Sequence, residues 1–556
     1  MYKRQAPRCR ADRAAPPAGH EGVPHVVTAA AIDDSSLQLT FVLFLTVVVI
    51  TLFTALLTAP QRDEISEFYL GNRAMSPLRN GLAMCGDYLS AATLLGSTGL
   101  VALTGYDGLM YLGGTTVAWM MVLLLIAEPL HRTGKFTLGD TVALRLPRQQ
   151  RPVRVALAVC ILAITTLYLV AQLVGSVALL TQFTGVPSGT TRTLCVVVIG
   201  TFVILYASLG GMPGATVIQI IKAVMLVAGV LFTAGWVLHH FDWNPNALLE
   251  RAAERSGTGV TFLEPGLRYG GTVSNKLDFL SLELAIVLGL AALPHVLMRL
   301  LAPRSSSVLR SSVLWAIGLV GAVCFGAGIL GLGATALLGR DTILDTDRTG
   351  NASVLLLAHE LGGSVLTALL TCLAYLTLLA VAVGLTLAAA SSLAHDLYSE
   401  VIRKGRASET EELTVARLSG AVIGILGMLL ALVAWGANTA TLAFLAFAIA
   451  ASAILPTIIY TLFWRRFSAK GALLSLYGGL LCSVLLAVFS PVVSSAPASF
   501  YPEADFAWFP LQNPGIVSIP VGFLLGWLGT VLDKGPAEEA GTHEEFEVRM
   551  LVGADD

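Results

Sequence analysis

The stretch NGLAMCGDYLSAAT, residues 80–93, places a carboxylate inside a long apolar segment. That segment runs from about residue 77 to residue 103, which is long enough to cross the roughly 30 Å hydrocarbon core of a bilayer. About ten helical residues beyond Pro77 rise about 15 Å, so Asp87 is expected near the middle of the membrane. Polar backbone at that depth is tolerated where it lines a cavity. The stretch therefore predicts a membrane helix that is interrupted halfway.

A second apolar segment carries a matching interruption. Residues 289–295 read GLAALPH, and about ten helical residues from Phe279 put Gly289 at the same depth, approached from the opposite face. The two segments lie five spans apart. This is the pattern of two five-helix repeats of inverted topology, about 77–238 and 279–463. The alternative is that Gly and Pro are simply common in membrane helices.

The whole chain has the composition of a membrane protein. Of its 556 residues, 55% are hydrophobic and 13% are charged, about half the charged share of soluble domains. The expected fold is all-α integral membrane, with a transporter domain over 37–533, lipid as its solvent and, at a net charge of −2, no nucleic-acid partner. The apolar blocks predict about thirteen spans, near 37–59, 77–103, 108–130, 153–183, 190–209, 214–238, 279–301, 313–338, 364–397, 415–435, 439–463, 471–490 and 515–533.

The predicted orientation places the N-terminus outside the cell membrane and the C-terminus in the cytoplasm. The short loops that would then be cytoplasmic hold most of the Lys and Arg residues, including Arg132, Arg154 and Arg465, as the positive-inside rule requires. Residues 1–36 are rich in Ala, Pro and Arg and are expected to be disordered. The acidic segment 534–556 is expected to form a cytoplasmic tail.

Asp87 is the strongest functional candidate, because a carboxylate at mid-membrane costs several kcal/mol unless it is paired, protonated or hydrated. We expect it to couple transport to a cation or a proton. The alternative is that it ties the unwound backbone to nearby N–H groups. His295 follows the proline of the second break and titrates near neutrality, so it is a candidate proton gate, although a packing role is preferred. No Lys or Arg is expected at mid-membrane in either broken span.

Other charged residues have a simpler interpretation. Glu128, Lys222 and the adjacent His395 and Asp396 lie near predicted span ends, where they are expected to anchor the helices. No phosphate-binding loop of the GxxxxGK[ST] type occurs in the sequence, so transport driven directly by ATP is not expected.

Several short motifs are spread over residues 37–533. They include EFYLGNR (67–73), GDYLSAA (86–92), GYDGL (105–109), QIIKAV (219–224), LPHVLMR (293–299) and SLAHDLY (392–398). Together these motifs resemble those of the solute:sodium symporter family, and within it the bacterial cation–acetate symporters.

The resemblance implies a leucine-transporter-like core of ten helices, with one extra helix before it and two after it. It also implies import of a short monocarboxylate, of the acetate, propionate or pyruvate type, driven by Na⁺ or H⁺ and without any other cofactor. The protein is therefore not expected to be an enzyme. Symport of another small solute, such as proline or a sugar, is the alternative within this architecture. A membrane sensor or a channel is the alternative of another class.

The resemblance also bears on the cation site. In many sodium-coupled members the cation binds carbonyls of the first broken helix, here Cys85 and Tyr88, and two hydroxyls of span 9. The matching span 9 positions are Ala380 and Val381, which offer no side-chain oxygen, so a proton at Asp87, or sodium elsewhere, becomes an alternative. The residues expected at the substrate and ion site are Cys85, Asp87, Tyr88, Ser90, Gly289, His295, Thr377, Ala380, Val381 and Thr386, with the cation nearest Cys85, Asp87, Tyr88 and Thr377.

Overall fold

The computed structural model describes residues 34–58, 64–71, 75–184, 188–434, 439–495, 499–501, 503–533 and 540–552. Within these ranges the regular structure is helical, apart from one isolated β-bridge between Ser494 and Tyr501. The expected disorder of 1–36 falls on residues that lie, up to residue 33, outside the described ranges.

The described ranges contain twenty-two α-helices. The first eleven are α1 (Asp34–Leu57), α2 (Ile65–Leu70), α3 (Pro77–Tyr88), α4 (Thr98–Thr104), α5 (Tyr106–Met121), α6 (Ala127–Thr133), α7 (Leu138–Arg145), α8 (Gln150–Thr184), α9 (Gly189–Leu205), α10 (Gly211–His240) and α11 (Pro245–Arg255). The others are α12 (Val273–Leu290), α13 (Pro294–Leu301), α14 (Ser306–Leu338), α15 (Arg340–Thr346), α16 (Ser353–Ser391), α17 (Glu409–Val433), α18 (Thr439–Ile449), α19 (Leu455–Phe463), α20 (Ala469–Val488), α21 (Gly515–Val531) and α22 (Ala540–Val552). Wider π-helical turns occupy Ala92–Ser97, Val122–Ile126, Tyr206–Gly210, Ser392–Ile402 and Ala450–Ile454, and 3₁₀ turns occupy Pro147–Gln149 and Gly259–Leu263.

Ten helical segments of the described chain are long and apolar enough to cross a membrane, so the protein is a multi-pass membrane protein. They are Leu37–Leu57, Tyr106–Thr133, Pro147–Thr181, Gly189–His240, Val273–Leu301, Ser306–Leu338, Ser353–Ile402, Glu409–Val433, Thr439–Phe463 and Ala469–Val488. Two shorter apolar helices are Ala92–Thr104 and Gly515–Val531. The predicted thirteen spans result if these two are counted and Gly189–His240 is divided at Gly211, where φ is 53°. The exact number of spans remains a prediction.

Both predicted interruptions are present. Helix α3 ends at Tyr88, Leu89 is extended (φ −73°, ψ 115°), and helical structure resumes in a π-helical turn that leads into α4. Helix α12 ends at Leu290, Leu293 is extended (φ −67°, ψ 126°), and α13 begins at Pro294. Proline suits a first helical position, because the N–H that it lacks has no helical partner there.

The two broken helices pack against equivalent neighbours. Helix α3 packs on α10 and α14, whereas α12 packs on α18 and α5. If residues 77–238 and 279–463 are equivalent repeats, α10 corresponds to α18 and α14 corresponds to α5. The two broken helices then make the same two contacts. The packing therefore agrees with the predicted inverted repeat.

A glycine makes the close approach in each repeat. A Cβ atom added to Gly86 of α3 would overlap the backbone carbonyl of Gln219 in α10. A Cβ atom added to Gly289 of α12 would overlap the backbone carbonyl of Phe447 in α18. Small residues allow membrane helices to approach at backbone distance, so these two glycines fix where each broken helix sits.

A buried charged cluster ties several helix ends together on one side of the molecule. Arg154 of α8 donates from Nη1 to Asp396 Oδ1 (2.7 Å) and from Nη2 to Asp140 Oδ1 (2.8 Å). His395 lies between two acids, with Nε2 3.0 Å from Asp140 Oδ1 and Nδ1 2.8 Å from Glu412 Oε1. The cluster joins α7, α8, α17 and the π-helical segment after α16, in agreement with an anchoring role for His395 and Asp396.

Asp140, in α7 outside the candidate spans, is held ionised by this cluster. Burial opposes its ionisation, yet the hydrogen bond and charge of His395 and the charge of Arg154 together hold the pKa of Asp140 below its usual range. A depressed folded-state pKa stabilises the fold above the pKa of the unfolded chain, and that stabilisation is lost as the pH falls through the folded value.

The acidic C-terminal segment contains a docked helix, which was not predicted. Helix α22 packs against α6 and α7. The Phe546 side chain is buried, and the Arg145 guanidinium lies 5.4 Å from the centre of its ring. Arg132 of α6 donates to the carbonyls of Met550 and Leu551.

We expect Gly86→Ala and Gly289→Ala each to destabilise the protein by about 1–3 kcal/mol, because the added methyl group must push two helix backbones apart. The measurement is the melting temperature of the purified protein in detergent. Gly318→Ala is the matched control, because a Cβ atom there meets no atom within 4 Å. Melting temperatures unchanged in both test variants would contradict the close approach.

Replacing Arg154 with Met is expected to cost about 3–5 kcal/mol of stability at neutral pH, because it leaves Asp140 and Asp396 buried without their guanidinium. The pKa of Asp140 then rises, so acid unfolding should begin at a higher pH than in the parent. Arg251→Met is the control, because the pair of Arg251 with Glu254 is solvent-exposed and such pairs contribute little. Equal acid-unfolding midpoints in the two variants would disprove the role of the cluster.

Candidate functional site

Asp87 lies in the last turn of α3 and is 1% exposed. Its Oδ2 accepts a hydrogen bond from Arg299 Nε of α13, and its Oδ1 accepts one from Gln219 Nε2 of α10. Arg299 also donates from Nη1 to Thr216 Oγ1, at 2.6 Å. The carboxylate is therefore paired and hydrogen-bonded, which offsets the cost of burying its charge. The ion pair joins the two broken helices directly.

Lys222 of α10 completes the site and is fully buried. Its Nζ donates to the carbonyls of Gly86 and Leu89. In an unbroken helix these oxygens would accept from the N–H groups four residues further on, but the break leaves them without helical partners. The Lys222 ammonium therefore satisfies backbone groups that the interruption of α3 releases.

The structure corrects two expectations here. Lys222 was expected to anchor a span end, but it lies eleven residues beyond the start of α10 at Gly211, where it is fully buried and bonds the broken backbone of α3. No Lys or Arg was expected at mid-membrane in a broken span, yet Arg299, in the second half of the second broken span, reaches the carboxylate at the first break.

A sequence signal for the missed residues does exist. Thr216, Gln219 and Lys222 recur at every third position of an otherwise apolar segment, so they share one face of a helix. All three are buried, and all three contact the Asp87 group or the broken backbone. Polar residues on one face of a membrane helix indicate a buried polar partner, and Asp87 is that partner.

The other predicted residues of the first break lie beside Asp87 along the chain. The Cys85 carbonyl accepts from the Leu89 N–H at 3.0 Å. The Tyr88 hydroxyl donates to the Thr115 carbonyl at 2.5 Å. The Ser90 side chain lies beside the Tyr168 hydroxyl of α8.

Helix α16 packs on α10 and contacts the Asp87 group. The Ala380 carbonyl accepts from Gln219 Nε2 at 2.6 Å, and a Cβ atom on Gly384 would overlap Asp87 Oδ1. The hydroxyls of Thr377 and Thr386 donate to carbonyls one turn earlier in their own helix, at 2.7 and 2.8 Å. Val381 is buried and offers no side-chain oxygen.

The second break places its two predicted residues differently. His295, in the first turn of α13, is buried beside the backbone of Asp87 and 6.0 Å from the Tyr168 ring centre. Gly289 packs on α18, as described above, and its carbonyl accepts from the Ala292 N–H at 2.9 Å. His295 therefore belongs to the Asp87 group, whereas Gly289 positions the helix.

A cavity of about 450 Å³ opens beyond the first break. Its wall includes Ala92 and Gly96 of the π-helical turn and Phe444 of α18, and its rim includes Arg268 and Arg348. The cavity is at the end of the molecule opposite α22, because Leu103 and Thr104, just before α5, line it and α5 leads through α6 to α22.

Comparison with known proteins places the chain in a family. Residues 68–479 match the sodium:solute symporter family. The chain is 42% identical over 520 residues to the monocarboxylic acid transporter of Corynebacterium glutamicum, an alignment that covers 92% of this chain and 94% of that protein. It is 40% identical over 513 residues to the uncharacterized symporter YwcA of Bacillus subtilis, covering 92% and 98%.

The fold has a solved counterpart as well. The substrate-bound, outward-open structure of a Na⁺-coupled sialic acid symporter matches with a TM-score of 0.69 and 14% sequence identity, over 91% of this chain and 99% of that one. This likeness shows the shared leucine-transporter-like fold. The matched family and the two relatives are secondary transporters and not enzymes. The chain belongs to the sodium:solute symporter family.

Proposed function

We propose that the protein imports a short monocarboxylate, of the acetate, propionate or pyruvate type, together with a cation. The observation that carries the proposal is the charge at the first break. Three described charged side chains lie at the break of α3: Lys222 and Arg299 are basic, and Asp87 is acidic. With Lys222 protonated, this buried site carries one surplus positive charge, which suits a small anion.

The rim of the cavity supports the same class of substrate. Arg268 and Arg348 line it beside Asp278, and basic groups around a low-dielectric cleft raise the local concentration of anions. The relative from Corynebacterium glutamicum bears the name of a monocarboxylic acid transporter, which favours a carboxylate over proline or a sugar.

Alternating access would follow from the two repeats. The Asp87–Arg299 pair links α3 of the first repeat to α13 of the second. Rocking one bundle against the other around this pair would expose the break first to the cavity and then to the side that carries α22. We place that second side in the cytoplasm of the cell, because most basic short-loop residues lie there.

The coupling cation in this proposal is Na⁺ or H⁺. Sodium is the cation that the family name gives. The proposed cation site lies near Cys85, Asp87, Tyr88 and Thr377, where Ala380 and Val381 supply no hydroxyl.

Asp87→Asn is expected to reduce uptake into proteoliposomes at least tenfold, a change of about 1.4 kcal/mol, because the neutral amide leaves Arg299 without its counter-charge. The measurement is accumulation of labelled pyruvate under an imposed cation gradient. Glu254→Gln, an exposed site, is the control. Uptake by Asp87→Asn at the parental rate, from a correctly folded protein, would remove Asp87 from the mechanism.

Competition assays test the substrate. We expect acetate and propionate to inhibit uptake of labelled pyruvate, and proline and glucose to leave it unchanged, because only the monocarboxylates bring a net negative charge to the site. Protein-free liposomes are the control for diffusion of the undissociated acids. Inhibition by proline or a sugar would instead favour symport of that solute. A flux that never saturates would favour a channel, and the absence of any flux would favour a sensor.

A further inference from the structure

We propose that Lys222 carries the coupling proton, and that its ammonium stands where a metal cation would bind the broken helix. The inference rests on the proposed function and names the ion of that same site. In this mechanism one proton and one monocarboxylate anion enter together, and the transport cycle moves no net charge.

The first argument is the position of the ammonium. The break frees the carbonyls of Gly86 and Leu89, and freed backbone oxygens are the ligands that a hard cation such as sodium uses. Both of these oxygens accept hydrogen bonds from Lys222 Nζ. A sodium ion on the same oxygens would lie against the ammonium, and like charges in a water-poor interior repel strongly. Sodium and protonated Lys222 therefore exclude each other from this position.

The second argument is the shortage of other ligands. On α16, Ala380 and Val381 have no side-chain oxygen, and the Ala380 carbonyl already accepts from Gln219. The nearby hydroxyls of Thr377 and Thr386 donate within their own helix. An ammonium needs only the two carbonyls and a counter-charge, whereas a sodium ion needs a fuller shell of oxygens.

The third argument is the charge balance around Lys222. The titratable groups that face it are Cys85 and Asp87 of α3, with Arg299 and His295 of α13 beyond them. Asp87 is the single carboxylate in this set, and Arg299 is paired with it. Neutral Lys222 leaves the site balanced, and protonated Lys222 leaves one surplus positive charge.

This balance links the proton to the substrate. A carboxylate anion binds more tightly when Lys222 is protonated, and by reciprocity the bound anion strengthens proton binding. When the site opens to the cytoplasm and the anion leaves, the Lys222 ammonium releases H⁺ to water and becomes the neutral amine. The amine takes up H⁺ from outside water in the next cycle, so the proton balance closes.

The test uses the full-length protein in sodium-free proteoliposomes, with labelled pyruvate and a pH-sensitive dye in the lumen. We expect added pyruvate to acidify the lumen and an inward proton gradient to drive its accumulation. Neither a sodium gradient nor an imposed membrane potential should increase that accumulation. Accumulation that requires sodium, without acidification, would overturn the role of Lys222 and leave the proposed symport standing. Failure of pyruvate, acetate and propionate to accumulate under either gradient would instead defeat the proposed function.

Two substitutions separate charge from proton transfer. Lys222→Arg keeps the positive charge but does not release its proton, so it should retain pyruvate exchange, with an affinity independent of pH, and lose net accumulation. In the parent, exchange affinity should weaken at least fivefold as rising pH removes the proton, within the usual range of coupling. Lys222→Gln should lose both activities, and Lys470→Gln, an exposed site, should lose neither.

Proton-driven accumulation by Lys222→Gln at the parental level would overturn the proposal. If neither Lys222 variant folds, as judged by its melting temperature, the parent protein still tests the proposal, because accumulation that requires sodium would overturn it.

Discussion

The structure depends on one constraint, which is that peptide groups inside a membrane must be hydrogen-bonded. Interrupting α3 at Leu89 releases carbonyl oxygens that water cannot reach. Lys222 bonds them, and this places an ammonium in the interior. That charge lies beside Asp87, which is paired in turn with Arg299 of the second broken helix. The break is therefore surrounded by a set of buried charged side chains, and the Asp87–Arg299 pair among them joins the two repeats.

Packing holds this set in place from several directions. Gly86 lets α3 meet α10 at backbone distance, and Gly384 lets α16 meet the Asp87 carboxylate. Gly289 repeats the arrangement between α12 and α18, which fixes the end of α12 and hence the point from which α13 starts toward Asp87. These glycines are as important here as the charged residues, because the close helix contacts that they allow hold each charge beside its partner.

The sequence predicted the two interruptions well, because Gly and Pro weaken a helix and a lone carboxylate in an apolar segment needs polar partners. It did not reveal the partners Lys222 and Arg299. Counting residues gives depth along one helix but not which helices face each other, and a span start misplaced by three residues moved Lys222 toward the membrane surface. Helix α22 was missed because a short acidic segment forms a helix here through the burial of Phe546, a tertiary contact. The π-helical turns have no comparable pattern in the sequence.

The docking of α22 makes this C-terminal segment part of the folded structure. Phe546 is buried where α22 packs on α6 and α7, and Arg132 donates to the last carbonyls of the helix. The segment therefore covers part of the folded surface. Shortening the chain before Ala540 would expose the surfaces of α6 and α7 that pack against this helix, together with the basic side chains of Arg132 and Arg145. Affinity tags and fluorescent fusions are therefore better attached beyond Val552 than in place of this helix.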